Sequence, residues 1–207
     1  SYNFKEFKPE VVNSYEIGYR GVIAKKLLVD VFAFYAVYNN FISTAILIQN
    51  PGTANSRQFG MPVNANSKVK TFGWGASVDY KFPYNFNLST NVSYNELRDA
   101  PKGQLAFFNT SPWRYNVTVS NNKICKNTGF AVTYRWQSAI EVWESTFLSG
   151  RLPAYGTLDA QLSYRIPKTK SLIKFGANNL LNKYYKSAYA NPEIGGMYYV
   201  SFGYNVF

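Results

Sequence analysis

Phe72-Gly-Trp74-Gly-Ala76-Ser-Val78-Asp-Tyr80 carries an apolar or aromatic residue at every even position, while Gly73, Gly75, Ser77 and Asp79 at the odd ones are small or polar. Alternation with period two marks a β-strand with one dry face and one wet face. The next stretch repeats it, with Leu88, Thr90, Val92 and Tyr94 set against Asn87, Ser89, Asn91, Ser93 and Asn95. The polar set is small, uncharged and hydrogen-bonding, unlike the Lys/Glu-rich outer face of a soluble sheet. A dry face turned to lipid and a polar face lining a wet interior is the sequence character of a transmembrane β-barrel.

Outward from this stretch, the pattern predicts about nine strands, at 13–22, 27–42, 66–82, 86–95, 112–121, 128–138, 155–166, 171–181 and 196–207. Connections alternate in length. Segments 23–26, 83–85, 122–127 and 167–170 are short and rich in Pro, Asn and Lys, as hairpin turns should be. Segments 43–65, 96–111, 139–154 and 182–195 are long. Short turns at one end and long loops at the other are the asymmetry of outer-membrane barrels, whose short turns are periplasmic. Nine is odd, and single-chain bacterial barrels use even numbers. The chain, 1–207, is therefore expected to be part of a larger antiparallel transmembrane barrel, all-β and not closed by itself.

The expected lipid-facing residues include Trp74, Val78, Tyr80, Val92, Tyr94, Val117, Val119, Val132, Tyr134, Leu162, Tyr164, Val200, Phe202 and Tyr204. None is charged, as the ~2–4 kcal/mol cost of Lys or Arg at mid-membrane requires. The opposite face carries Glu16, Arg20, Asp30, Asp79, Arg114, Arg135, Asp159, Arg165 and Lys174. Strand two fits least well, because Phe32 and Phe34 share a face with Asp30.

Composition agrees. Charged residues are 16% and aromatics 18% of the 207 residues, against roughly 25% charged in an ordinary soluble domain. Tyr, apolar in body and polar at its tip, suits membrane interfaces. No apolar run approaches the ~20 residues of a membrane helix, and no signal peptide opens the sequence. The net charge of +11 comes with no basic helix or zinc-finger spacing, so no nucleic-acid partner is expected. The lysines cluster in turns, which suits solubility and attraction to anionic lipid or cargo.

Five segments together resemble the C-terminal barrel region of TonB-dependent outer-membrane receptors. They are Phe7-Lys-Pro-Glu10 with Ser14-Tyr-Glu-Ile-Gly-Tyr-Arg-Gly21, then Val31-Phe-Ala-Phe-Tyr-Ala-Val-Tyr-Asn-Asn-Phe-Ile42, then Val63-Asn with Val69-Lys-Thr-Phe-Gly73. Phe108-Asn-Thr-Ser-Pro112 and Gly176-Ala-Asn-Asn-Leu-Leu-Asn-Lys-Tyr-Tyr185 complete the set. Gly75 stands where the third segment usually has an acid. The resemblance implies the last strands of a 22-stranded barrel in the outer membrane of a Gram-negative bacterium. It also implies a plug outside this sequence, TonB as energy source acting through that plug, and uptake of a scarce nutrient such as a metal chelate, glycan or peptide. A passive porin-like or structural barrel is the alternative, and a soluble lipocalin-like binder a third class. Phe207 matches the terminal aromatic read by the barrel-assembly machinery, although the alternating set of the last strand is one residue out of phase with it.

Catalysis finds little support. With no His and one Cys, Ser-His-Asp and Cys-His chemistry are excluded, and neither a metal site nor a cofactor is expected. Glu141 and Glu144 lie close together without an apolar setting to raise a pKa. Gly73 and Gly75 sit on a strand, so they suit close backbone approach rather than a phosphate loop. Candidate cargo-binding residues fall in the long loops and the upper polar face: Arg98, Phe107 and Phe108; Arg135, Trp143 and Arg151; Tyr185 and Tyr189. Aromatics with a few cations can hold a planar or anionic cargo.

Overall fold

Strand pairing keeps the period-two pattern in step along the chain. The computed structural model describes residues 5–205. Its strands are β1 (Val11–Ile23), β2 (Leu27–Asn39), β3 (Ile42–Gln49), β4 (Arg57–Asn64), β5 (Val69–Lys81), β6 (Phe86–Arg98) and β7 (Trp113–Cys125), followed by β8 (Thr128–Gln137), β9 (Ile140–Glu144), β10 (Ser149–Leu152), β11 (Tyr155–Ile166), β12 (Ser171–Asn178) and β13 (Met197–Gly203). Nine of them form one antiparallel sheet in the order β1-β2-β5-β6-β7-β8-β11-β12-β13. This is the expected wall of a barrel, open between β1 and β13 among the described residues.

Residues directly opposite in an antiparallel pair share a face. Tyr19 faces Val31, Val31 faces Ala76, and Ala76 faces Val92. The row continues through Tyr115 and Trp136. A second row joins Phe130, Leu162, Phe175 and Val200. Every residue expected on the dry face between Tyr15 and Phe202 thus lies on one face of the sheet. Tyr204 lies just beyond β13, and Phe207 lies outside the described residues. The one register shift in this sheet falls between Asn121 and Cys125, beside a short turn, where it leaves the faces unmixed.

The apolar face is uncovered. Ile17 is 77% exposed, Val200 69% and Phe202 65%, so the large hydrophobes cover the outside of a sheet rather than fill a core. Rings gather at two levels. Toward the long loops, Trp113 meets Trp74 edge-on at 5.6 Å and Tyr94 at 4.8 Å, and Tyr115 stacks on Trp136 at 5.1 Å. Toward the short turns, Tyr80 and Phe82 lie at 4.4 Å, Phe86 and Phe130 at 6.2 Å. From Tyr94 back to Phe86 the strand runs roughly 27 Å along its own axis, or about 20 Å in height at the ~40° tilt of such barrels, within the ~25 Å of a lipid-facing band.

The opposite face is a hydrogen-bonded lattice of small polar groups. Asn116 Nδ2 donates to Asn91 Oδ1 at 2.9 Å, and the hydroxyls of Thr118 and Thr133 share a 2.9 Å bond. Arg20 pairs with Asp30 at 3.7 Å across β1 and β2.

Two features depart from the sequence reading, and the placement of Phe32 and Phe34 agrees with it. Segments 43–65 and 139–154 are not plain loops. They hold the hairpins β3–β4 and β9–β10, each a separate two-stranded sheet. Phe32 and Phe34 do belong to the polar face, where their rings lie flat over Gly75 and Gly73 of β5; a Cβ at either glycine would come within 2.6 Å of the ring. Lys70, Glu96 and Arg98 fall on the apolar face, but at its long-loop rim and partnered. Lys70 bonds Asp99 at 2.7 Å and Arg98 bonds Glu96 at 3.1 Å.

Filling the space under Phe32 should therefore destabilise the wall. Gly75→Val is expected to cost about 1–3 kcal/mol, and adding Phe32→Ala should recover most of it. The denaturation midpoints of the full polypeptide and of both variants measure that coupling.

Candidate functional site

The long-loop end is built from side chains that bind backbone groups. Asn64 accepts the Lys8 N–H at 2.7 Å and donates to the carbonyls of Lys8 and Asn40 at 2.8 and 2.7 Å. Glu10 accepts the Ile42 N–H at 2.7 Å, where β3 starts. The Asn109 side chain makes two 2.7 Å bonds to the Glu144 backbone: Glu144 N–H donates to Asn109 Oδ1, and Asn109 Nδ2 donates to the Glu144 carbonyl. The Glu144 carboxylate in turn accepts the N–H groups of Ala106 and Phe107, both at 3.1 Å. Segment 99–112 is thereby tied to β9–β10, and it bridges β3 through reciprocal bonds between Thr44 and Leu105.

A third clip shapes segment 179–196. Asn179 takes up a left-handed backbone (φ 52), as Asn tolerates. Its amide N–H donates to Asp159 Oδ1 at 2.8 Å, and its side chain brackets Lys183 by accepting that N–H and donating to that carbonyl. Asn182, also left-handed, accepts the Gly196 N–H at 2.7 Å. The chain is thereby folded back so that Lys183, Tyr184, Tyr185 and Lys186 follow the clip in one short run.

These residues line a cleft of about 560 Å³ with Arg151, Tyr155, Tyr189 and Glu193. Tyr155 and Tyr185 stack at 4.2 Å. Tyr189 packs against Gly150 of β10, which a side chain would block, and stacks on Trp143 at 6.3 Å. Arg151 is not an available cation: Glu141 accepts from it at 2.8 and 3.3 Å and holds its guanidinium further above its ordinary pKa. Lys183 and Lys186 form no ion pair among the described residues. The cleft therefore offers two ammonium groups beside paired aromatic faces, an arrangement able to hold a planar or anionic molecule.

Of the residues expected to bind cargo, the structure gathers Arg151, Tyr185 and Tyr189 in this cleft, with Trp143 behind Tyr189. It does not gather the others. Phe108 lines a separate cleft with Glu144 and Ile140, and Phe107 stands beside it at the surface. Arg98 lies over the Phe72 ring at 5.0 Å on the apolar face. Arg135 sits lower on the polar face, with Nη2 2.9 Å from Asp159 Oδ2. No N–H there is aimed well enough to make a hydrogen bond, so that contact is Coulombic. Sequence reading passed over Lys183, Lys186 and Tyr155. Both lysines follow the Asn-Asn-Leu motif closely, and that proximity was the signal available. Among the described residues, no group of three or more Asp, Glu or Cys side chains gathers as a metal site.

Removing the Glu144 acceptor should loosen segment 99–112 while leaving the wall intact. Glu144→Ala is expected to cost about 1–3 kcal/mol locally, seen as faster hydrogen exchange at Ala106 and Phe107 with unchanged exchange in β6 and β7.

Comparison with known proteins places this arrangement. Among solved structures, the copper transporter OprC superposes with a TM-score of 0.74 at 14% identity, covering 95% of this chain and 31% of that one. The FrpB iron transporter from Neisseria meningitidis gives 0.72 at 15% identity, covering 95% and 31%. The siderophore receptor PirA from Acinetobacter baumannii gives 0.69 at 15%, covering 96% and 32%. At these identities the likeness is one of fold, and the chain spans about a third of the length of those proteins. No curated protein matches the sequence. The family profile described as TonB dependent receptor-like, beta-barrel matches residues 1–180. The chain therefore belongs to the TonB-dependent receptor β-barrel family, a family of receptors and transporters rather than enzymes.

Proposed function

We propose that this chain forms the C-terminal wall of a Gram-negative outer-membrane transporter that captures a scarce anionic nutrient and imports it with energy from TonB. The observation that carries the reading is the sheet's two-faced character: an uncovered apolar face, uncharged except at its long-loop rim along the regularly paired strands, backed by a lattice of small polar groups. Soluble monomers rarely expose an apolar surface of this extent. The apolar face, from Trp74 and Val78 through Val117 and Tyr134 to Val200 and Phe202, meets lipid, and the polar face lines the lumen. The rest of the barrel and a plug complete the protein, and TonB acts through the plug. Assembly into the membrane proceeds through the barrel-assembly machinery.

The cleft at the long-loop end supplies the cargo contacts assigned to this chain. Stacked Tyr155 and Tyr185 offer a flat face, and Lys183 and Lys186 offer charge that no ion pair takes up among the described residues. A metal chelate with carboxylate or catecholate groups fits that chemistry better than a neutral glycan. Two of the structural relatives are a ferric citrate transporter and a ferric-catecholate import receptor. The passive-pore alternative predicts uptake that ignores TonB.

Two measurements test this. Uptake of radiolabelled ferric citrate and of a ferric catecholate by cells carrying the full receptor should fall to background when TonB is deleted for the chelate it imports. Lys183→Gln with Lys186→Gln should weaken binding of that chelate about ten-fold or more without changing receptor abundance. Uptake that persists without TonB would establish the passive pore.

The lipid-facing assignment has its own expected outcome. Val117→Lys should destabilise the barrel by about 2–4 kcal/mol, whereas Asn116→Lys, one residue away on the polar face, should cost far less. Denaturant titrations of the full receptor reconstituted in lipid vesicles give both values.

A further inference from the structure

The carboxylate of Asp159 stands where the polar face of the wall meets the long-loop end. Strand parity puts it on that face with Tyr155 and Thr157 of β11, and Arg135 of β8 lies directly opposite Thr157. The Asp159 side chain is 13% exposed and that of Arg135 61%. The two carboxylate oxygens have different tasks. Oδ1 accepts the Asn179 N–H at 2.8 Å, whereas Oδ2 is buried without a hydrogen bond, 2.9 Å from Arg135 Nη2. A charged oxygen buried without a donor is costly unless an opposite charge compensates it. Here that charge is Arg135. Gln161, next along this face of β11, is engaged elsewhere, its Oε1 accepting from the Tyr199 hydroxyl at 3.2 Å.

From Asn179 the contacts lead on to the cleft. Asn179 is buried, and its side chain accepts the Lys183 N–H at 3.1 Å and donates to the Lys183 carbonyl at 2.8 Å. Lys183 opens the run that lines the cleft, and Tyr185 of that run stacks on Tyr155 at 4.2 Å. One strand, β11, thus carries both the ring on which Tyr185 rests and the carboxylate that fixes the turn before Lys183. The Leu180 N–H also bonds the Leu158 carbonyl at 2.7 Å, but the amide of the left-handed residue itself goes to Asp159.

We propose that Asp159 is a positioning residue for the cargo cleft, and that Arg135 acts on the cleft through Asp159 rather than by touching cargo. The inference rests on the cargo reading of the cleft. Without Arg135 the buried Oδ2 is uncompensated, and the carboxylate turns toward water, taking Oδ1 away from Asn179. Without the charge on Asp159 the guanidinium has nothing to support, so its loss is silent. An Arg135 that contacted cargo directly would cost affinity on removal whatever residue stood opposite it.

The test uses the full receptor in detergent with Asp159→Ala, Asp159→Asn, Arg135→Gln, and Arg135→Gln combined with Asp159→Asn. Hydrogen exchange is followed over residues 179–186 and over β6 and β7, and ferric citrate and a ferric catecholate are titrated separately. Asp159→Ala should speed exchange at Asn179 and Lys183 about ten-fold, as expected for one lost hydrogen bond to a charged group. Binding of the chelate that the receptor takes should weaken by a similar factor, with exchange in β6 and β7 unchanged. Asp159→Asn keeps an acceptor at Oδ1 and should recover most of both. Arg135→Gln should speed exchange and weaken binding about three-fold by itself, and do neither beside Asp159→Asn.

Equal losses from Arg135→Gln in the two backgrounds overturn the proposal, as does unchanged exchange in Asp159→Ala. Faster exchange with unmoved affinity, in a receptor that binds one of the chelates, overturns it too. A receptor that binds neither chelate overturns the cargo reading instead. The exchange cycle then still decides the linkage: non-additive exchange supports it, and additive exchange overturns it.

Discussion

A single-residue slip in an antiparallel ladder turns every side chain of a strand to the other face. Here that penalty applies at eight successive pairings, because both faces are specified. A slipped β6 would present Asn91 and Ser93 where Val92 and Tyr94 now stand, and would bury the apolar set against Asn116 and Thr118. The only shift in the wall, between Asn121 and Cys125, lies beside a turn where it leaves the rows intact. Everything else in the molecule is attached to a wall whose register its own side chains fix.

The attachments use a common chemistry. Asn64, Asn109 and Glu144 satisfy backbone groups of a distant segment and Asn179 those of Lys183 four residues on, so loops without a core of their own are held by side chains that act as extra backbone partners. Three of the motifs that carry the family resemblance contain one of these residues, and Lys8 and Glu10 of a fourth segment are their partners or act likewise. The motifs are joints. The last motif also carries three residues of the cleft, Lys183, Tyr184 and Tyr185, and Lys183 is the partner of the Asn179 joint.

This division explains what the sequence made legible. The nine wall strands and their faces were readable because period-two alternation is a local signal repeated many times. Phe32 and Phe34 looked misplaced because their compensation is non-local: the rings rest on Gly75 and Gly73 of the next strand. The hairpins β3–β4 and β9–β10 lie in segments whose length alone suggests loops, although Ile42-Ser-Thr-Ala-Ile-Leu-Ile is rich in β-branched residues. Of the cleft, Arg151, Tyr185 and Tyr189 were named from residue type. Their meeting with Lys183 and Tyr155 depends on the left-handed turn at Asn179, which composition does not announce. Arg98 was grouped with Phe107 by nearness in sequence, yet strand parity sends it to the opposite face.

The polar lattice has a mechanical consequence. Asn91 with Asn116, and Thr118 with Thr133, spend their hydrogen bonds on each other. Where a donor and an acceptor are matched across neighbouring strands in this way, that part of the surface has fewer bonds to offer a body resting on it. The pairs Arg20–Asp30 and Arg135–Asp159 settle part of its charge within the wall as well. Such pairs let this stretch of the wall keep its own shape from within.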